Sequence, residues 1–458
     1  MQEIYETEMK NGFFRIDPCE RVEMEEYCRR YMSFLDQNRI ERTVIRNAVQ
    51  ILEERGFKPF QKGDPLCPGD RVYFVIHACT LVAVVIGKQP LEKGVRLVAS
   101  HADSPRLDVR PVPLFQKNDI ALLRTHYYGL VRKYQWFSIP LGMIGVVMLK
   151  NGQVVNVSIG MDMNDPVFVV PDLPPHLSAS QDMETVQKAH SGEMLNLFFA
   201  SEPLAGKPEE KAVRMQALKA LYDRYGIAED DLLSAELEIV PIMPVREAGI
   251  DRSLIAGYGQ DDRVCGFAGL DALVDLKGAP EHTAVFFWVD KEEIGSRGIT
   301  GARSRSLDYC ILQLCRAQST TVEDCYAHSI CLSGDVTVAY DPNFPDFFEH
   351  DNTAKTNCGI AFMKYTGTAG KSGGSDAKAE LVGKLRSLFD ANGVLWQIGE
   401  LGAIDVGGGG TVAHMMTARG IETLDAGTAV LGMHSPYEVV SKLDAYMTRK
   451  AYYVFYRN

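Results

Sequence analysis

None of the ten cysteines lies in a Cys-x-x-Cys pair, and several fall inside apolar runs, Cys79 in VIHACTLVAVV and Cys331 in SICLSGD. A disulfide framework belongs to small secreted domains that cannot build a core. A chain of 458 residues that is 46% apolar has no such need, so reduced and mostly buried thiols are expected. No apolar run approaches the ~20 residues of a membrane span, and the N-terminal MQEIYETEMKNGFF carries no apolar signal-peptide stretch. No basic tract exceeds a few residues, and the net charge is −12 with a pI near 5.4. Such a surface repels phosphate backbones, which argues against nucleic acid as a partner. Internal repeats and low-complexity segments are also missing. These absences leave a soluble, cytoplasmic, globular protein with no membrane partner.

Three familiar catalytic signatures are absent as well. There is no H-E-x-x-H, which excludes the single-zinc helical protease motif. Gly370-Lys371-Ser372-Gly373-Gly374 satisfies G-x-S-x-G in letters only, because a nucleophile elbow needs a strand before the serine and a helix after it. Gly370-Lys371-Ser372 fails as a P-loop end, since the upstream glycine position holds Tyr365.

What is present is an alternation of two textures. Residues 20–56 carry helical periodicity ending at Glu54-Arg55-Gly56, a C-cap pattern. RVYFVIH, CTLVAVVIG and VRLVAS then read as buried strands. Between Pro111 and Ile242 the pattern shifts to VVMLK, VVNVSIG and VFVV, the Pro-rich VVPDLPPHLS, and a charged helical stretch from Lys207 to Tyr225. From Ala228 onward, apolar strands alternate with amphipathic helices, the α/β signature. The expected architecture is a discontinuous α/β domain over 1–110 and 244–458, a mixed sheet flanked by helices, with a mostly β domain inserted over 111–243.

Ligand sites in open α/β sheets form beyond the carboxyl ends of strands. VRLVAS runs into His101-Ala102-Asp103, HTAVFFWV into Asp290-Lys291-Glu292-Glu293, and SICL into Ser333-Gly334-Asp335. Gly259-Gln260-Asp261-Asp262-Arg263 precedes an apolar helix, where an N-cap is the plain structural explanation, and Gly432-Met433-His434-Ser435 follows TAVL. Histidine and carboxylate without thiolate suit zinc, cobalt or manganese. Two histidines and three carboxylates suffice for two ions if one carboxylate bridges. A general base that is not a ligand is then required, and Glu292 beside Glu293 fits, since adjacent residues at a strand end point in different directions.

The stretches SHADSPRLDVRPVPL, GQDDRVCGFAGLDAL, DKEEIGSRGITGA, SGDVTVAYDPNFPD, ELGAIDVGGGGT and LGMHSPYE, in that order, resemble M18 (aspartyl aminopeptidase-like) metallopeptidases, especially their bacterial branch. The insert shares the resemblance through HYYGLVRKYQWFSIPLGMIGVV and VPDLPPHLSASQ. It implies a zinc-peptidase-like fold, an insert that mediates dimers or larger assemblies, and a homo-oligomer, commonly a dodecamer. It implies two divalent ions per subunit, zinc or alternatively cobalt or manganese. His101, Asp261 and Asp335 would hold one ion, and Asp261, Glu293 and His434 the other, with Asp261 bridging. Glu292 would be the base, Asp103 the carboxylate that orients His101, and the Asp261–Asp262 bond a cis peptide. His176 would reach a neighbouring subunit's active site, and Gly409 and Gly410 would lie near the substrate. The implied activity is removal of single residues from the N-termini of peptides. Eukaryotic members carry a His-x-x-His-Pro-Asn pattern where this chain reads Asp335-Val336-Thr337-Val338-Ala339-Tyr340-Asp341-Pro342-Asn343. A preference for acidic N-terminal residues is therefore not carried over, and Asp341, if it faced the substrate, would favour neutral or basic ones. Two other readings stand beside this one: another dinuclear-metal peptidase or deacylase of the same architecture, and a non-catalytic scaffold on that fold.

Overall fold

A computed structural model describes residues 10–458; the first residues of the stretch read above for a signal sequence lie outside them. The chain divides into two compact units. One comprises Met1–Asp103, Val245–Met433 and Glu438–Asn458, the other Ser104–Pro244 and His434–Tyr437. The division falls before the 110/111 point chosen from sequence, and one strand of the second unit, Arg106–Lys117, spans that point with a register shift between Val109 and Leu114. Among the described residues no helix is long and apolar enough to cross a membrane.

The larger unit is built on a nine-stranded mixed sheet. In chain order its strands are β1 (Lys58–Pro59), β2 (Arg71–Ile76), β3 (Thr80–Val85), β4 (Val95–His101), β5 (Thr283–Val289), β6 (Ile330–Ser333), β7 (Ile360–Met363), β8 (Trp396–Ile398) and β9 (Glu422–Gly427). In space they run β1-β2-β3-β5-β4-β6-β9-β7-β8. The centre is buried on both faces, so β5 (TAVFFWV) and β3 (TLVAVV) are apolar throughout rather than alternating. β4 pairs in parallel with both β5 and β6, Val289 opposite His101 and Ser333 opposite Ala99, so three carboxyl ends come together.

Helices cover both faces. On one lie α1 (Pro18–Gln37), α2 (Glu41–Glu54), α3 (Gln260–Val274), α4 (Ala379–Ala391) and α5 (Lys442–Arg457), whose apolar residues form one continuous core with that face. The helical run read from sequence as one stretch is two helices. α1 is started by Pro18 and by Asp17, whose carboxylate accepts from the Cys19 and Glu20 N–H groups. It buries Met24, Tyr27, Cys28, Tyr31, Phe34 and Leu35, a stripe at helical spacing, and stops at Asn38, whose side chain bonds back to the Phe34 carbonyl. Helix α3 lies close on the sheet because Gly266 and Gly269 have no Cβ. An added carbon there would sit 2.4 Å from the Trp288 ring and 2.6 Å from the Phe286 ring.

The second unit holds a six-stranded antiparallel sheet in the order Val154–Ile159, Leu141–Met148, Ala235–Pro241, Arg106–Lys117, Ile120–Tyr128, Asn196–Ala200. The helix Glu209–Tyr225 packs on it and ends at Gly226 in the left-handed conformation, the usual helix stop. VFVV, expected as a strand, contributes only isolated bridges at Phe168 and Val169.

Candidate metal centre

His101 is the last residue of β4 and is buried. Its Nδ1 lies 3.0 Å from the Asp103 carbonyl and 3.3 Å from the Asp103 carboxylate. With Nδ1 donating, the neutral ring keeps its lone pair on Nε2, which lies 3.0 Å from Asp261 Oδ1 and 3.8 Å from Asp335 Oδ1. Two ligand sets close around it, His101-Asp261-Glu293 and His101-Glu292-Asp335, each with its ligand atoms within 4.8 Å of one another. A third set of the same compactness is Asp261-Asp262-Asp335.

Each side chain is placed by an identifiable local cause. Asp261 and Asp262 open α3 but do not cap it: Gly259 holds the N-cap position, no side chain bonds the first turn, and both aspartates have non-helical backbone. The bond between them is cis, as the resemblance implied. The Asp261 N–H donates to Glu438 Oε2 at 3.3 Å, and Glu438 is itself buried. Beyond β5, Lys291 takes a left-handed turn (φ 68°) and a short 3-10 helix carries Glu292 and Glu293. Asp103 braces that turn, its two carboxylate oxygens accepting from the Glu292 N–H (3.1 Å) and the Glu293 N–H (3.2 Å). One carboxylate therefore positions the His101 ring, the candidate base and a candidate ligand together. Asp335 follows β6, where the Gly334 N–H donates to the Ala99 carbonyl at 2.6 Å. Its backbone leaves no room opposite, since a Cβ on Gly427 would lie 1.9 Å from the Asp335 carbonyl oxygen.

The charges in this pocket are unbalanced. Burial pushes the Glu292 carboxyl well above the usual range, and the neighbouring Asp335, Glu293 and Asp103 push the same way. Asp335 and Asp262 are also raised, burial being the largest cause for each. For His101, burial opposes the charged form, but hydrogen bonds to Asp103, Asp261 and Asp335 outweigh it and hold the imidazole well above its ordinary value. Carboxylates held this close inside a protein are stable as anions only with cationic charge among them. One imidazole and several carboxylates without thiolate match zinc, cobalt or manganese in donor chemistry, so the residues present fit the divalent ions expected.

A family profile described as "Aminopeptidase I zinc metalloprotease (M18)" matches residues 34–456. The chain belongs to the M18 aminopeptidases. A probable M18 family aminopeptidase 1 of Borrelia garinii subsp. bavariensis is 40% identical over 455 residues, covering 98% of this chain and 99% of the relative. The crystal structure of an M18 aminopeptidase from Thermotoga maritima superimposes with a TM-score of 0.94 at 39% identity, over 98% of this chain and 99% of that one. Aminopeptidase I from Clostridium acetobutylicum gives 0.93 at 36%, over 99% and 100%. A Saccharomyces cerevisiae relative solved as a dodecamer shares the fold at 21% identity (TM-score 0.76, 96% and 98% covered). The mixed α/β fold and the metalloaminopeptidase class expected from sequence are those of this M18 family.

The remaining residues singled out from the M18 resemblance lie outside these ligand sets. His434 belongs to the second unit, with φ 64° and Nδ1 2.8 Å from the Leu130 carbonyl, which puts the ring lone pair on Nε2. His176 is exposed in a turn of the same unit. In the glycine run, Gly407 and Gly408 have backbone reasons to be glycine, since added carbons would lie 2.0 Å from the Leu401 carbonyl and 2.5 Å from the Gly367 carbonyl. Gly409 and Gly410 have none, as Gly409 faces open space and the nearest atom to Gly410 is 3.6 Å away. Asp341 is occupied by its own turn, accepting from the Asn343 backbone and side chain at 2.9 and 3.0 Å.

Three contributors were not singled out from sequence. Asp262 accepts from Ser100 Oγ at 2.5 Å and from the His101 N–H at 3.3 Å, pinning the end of β4. Trp288 Nε1 donates to the His101 carbonyl at 2.9 Å, and Glu438 holds Asp261 as described. Asp262 was legible as the second letter of a paired Asp-Asp; the other two carry no sequence signal, because their partners are remote in the chain.

Proposed function

We propose that this M18 aminopeptidase removes single residues from free peptide N-termini with two divalent ions, zinc foremost and cobalt or manganese as alternatives. The observation that carries the reading is His101 Nε2 between Asp261 and Asp335 at converging strand ends, with the Glu292-Glu293 turn beside them. His101, Asp261 and Asp335 would hold one ion. Asp261, Glu293 and, from the resemblance alone, His434 would hold the other. When bound, such ions would act as Lewis acids, polarising a peptide carbonyl and lowering the pKa of water. The protein's own residues do the rest. Glu292, carried by the turn after β5 to within reach of His101 and Asp335, would take the proton from the attacking water and return it to the leaving amine. Asp103 holds the His101 proton on Nδ1 and sets the direction of Glu292 through its backbone N–H. Backbone N–H groups at Gly409 and Gly410, where no side chain intervenes, suit the substrate or a developing oxyanion.

The inserted domain serves assembly, His176 reaches a neighbouring subunit's site, and the assembly is a dodecamer like that of the yeast relative. The enzyme works in the cytoplasm. The test is hydrolysis of short peptides with free and with acetylated N-termini, by chelator-stripped protein before and after adding zinc, cobalt or manganese. Metal-restored release of single residues from free N-termini alone is the expected outcome, and ranking the peptides settles the side-chain preference. Metal binding by a folded protein without any hydrolysis would move the reading to another amide substrate or to a scaffold.

A further inference from the structure

At the opposite end of β4 from His101, about 17 Å along the strand at ~3.3 Å per residue, Arg96 faces a cavity of about 670 Å³ that is open to solvent. Ile330 of β6 and Leu388 of α4, both half-buried, present apolar surface to it beside the exposed Lys384, over a floor of Leu381, Leu385 and Phe455 that is at most 3% exposed. Arg96 Nη1 is buried and has no hydrogen-bond partner, and among the described residues the guanidinium forms no ion pair. Asn458 also lines the cavity, and none of its atoms pairs with Arg96. Among the described residues no aspartate or glutamate lines it. Burial lowers the Arg96 pKa with no neighbouring acid to offset it, and the nearby His282, also lowered by burial and then by Arg96, adds no counter-charge. A guanidinium with a buried, unsatisfied donor is an uncommon and costly arrangement, and Lys384 adds a second cation that no acid pairs among the described residues.

Charge and wall together specify the ligand. A planar guanidinium matches a carboxylate with two parallel hydrogen bonds, a flexible lysine adds a point charge, and the half-buried Ile330 and Leu388 side chains favour an apolar tail. The volume falls within the range of small-molecule sites. We propose that this cavity binds a monocarboxylate with an apolar tail, at a site separate from the metal centre.

The test is calorimetric titration of the metal-loaded, full-length protein with sodium octanoate, N-acetylleucine, octan-1-ol and inorganic phosphate, repeated on Arg96→Gln and Lys384→Glu. Octanoate or N-acetylleucine is expected to saturate, with octanol and phosphate each binding at least roughly tenfold more weakly because one half of the recognition is missing. Tighter octanoate assigns the pocket to fatty acids, and tighter N-acetylleucine to amino-acid or peptide carboxylates. Arg96→Gln should weaken binding by roughly tenfold or more, and Lys384→Glu by several-fold. If Arg96→Gln does not fold, Lys384→Glu on the exposed side of α4 decides. A carboxylate also finds metal ions, so binding that survives unchanged in the variants belongs to the metal centre and overturns the proposal. Absence of saturation with both acids, or phosphate binding as well as octanoate, overturns it too.

Discussion

The Asp103 carboxylate holds the backbone of both neighbouring glutamates, Glu292, proposed as the base, and Glu293, proposed as a metal ligand. If Glu292 is the base proposed above, Glu292→Gln removes the proton acceptor but keeps size and position, so bound metal should remain while kcat falls by about 10²–10⁴. Metal content measured alongside kcat checks this, and a near-wild-type rate would remove Glu292 from the base role. Asp103→Asn keeps one acceptor oxygen and replaces the other with a donor facing the Glu292 or Glu293 N–H. Weakened metal affinity by roughly 10- to 100-fold is expected, read by competition against a chelator. Metal affinity equal to wild type would mean that the brace acts on neither His101 nor Glu293.

At the scale of elements, the site depends on three parallel strand ends and on backbones too close for side chains. Gly427 ends β9 directly against the Asp335 carbonyl, a contact with rigid backbone rather than a movable side-chain tip. Gly427→Ala should therefore cost about 1–3 kcal/mol in stability and shift Asp335 enough to weaken metal binding. Thermal melting with and without zinc checks both parts; a variant as stable and as metal-competent as wild type would show that β9 has freedom to move. Gly266 lies against Trp288, whose indole also holds the His101 carbonyl, so the packing of α3 and the position of the first ligand share one side chain.

For the whole molecule, ions that bind the folded centre and not the unfolded chain stabilise it by mass action, about 4 kcal/mol at a thousandfold excess over Kd. Chelation should lower the melting temperature and zinc should restore it, because the ligands join β4, α3, the turn after β5 and the loop after β6. An unchanged melting temperature would mean that the ligand cluster is held by its own hydrogen bonds.

Much of this was legible in sequence because the signals are local. An apolar run followed at once by His101, by Glu292-Glu293 or by Asp335 says both strand and strand end, and a parallel sheet must bring such ends together. The order of the motifs carried the family, and with it the fold and the aminopeptidase activity. What the tertiary structure alone decided depends on distance rather than on pattern. Asp262 and Glu438 brace the candidate ligands and Asp103 spans two strand ends, because partners far apart in sequence meet only on folding. The same holds for glycine: Gly407 and Gly427 look no different from Gly409 in the sequence, and only the approach of a remote carbonyl makes a side chain impossible at the first two.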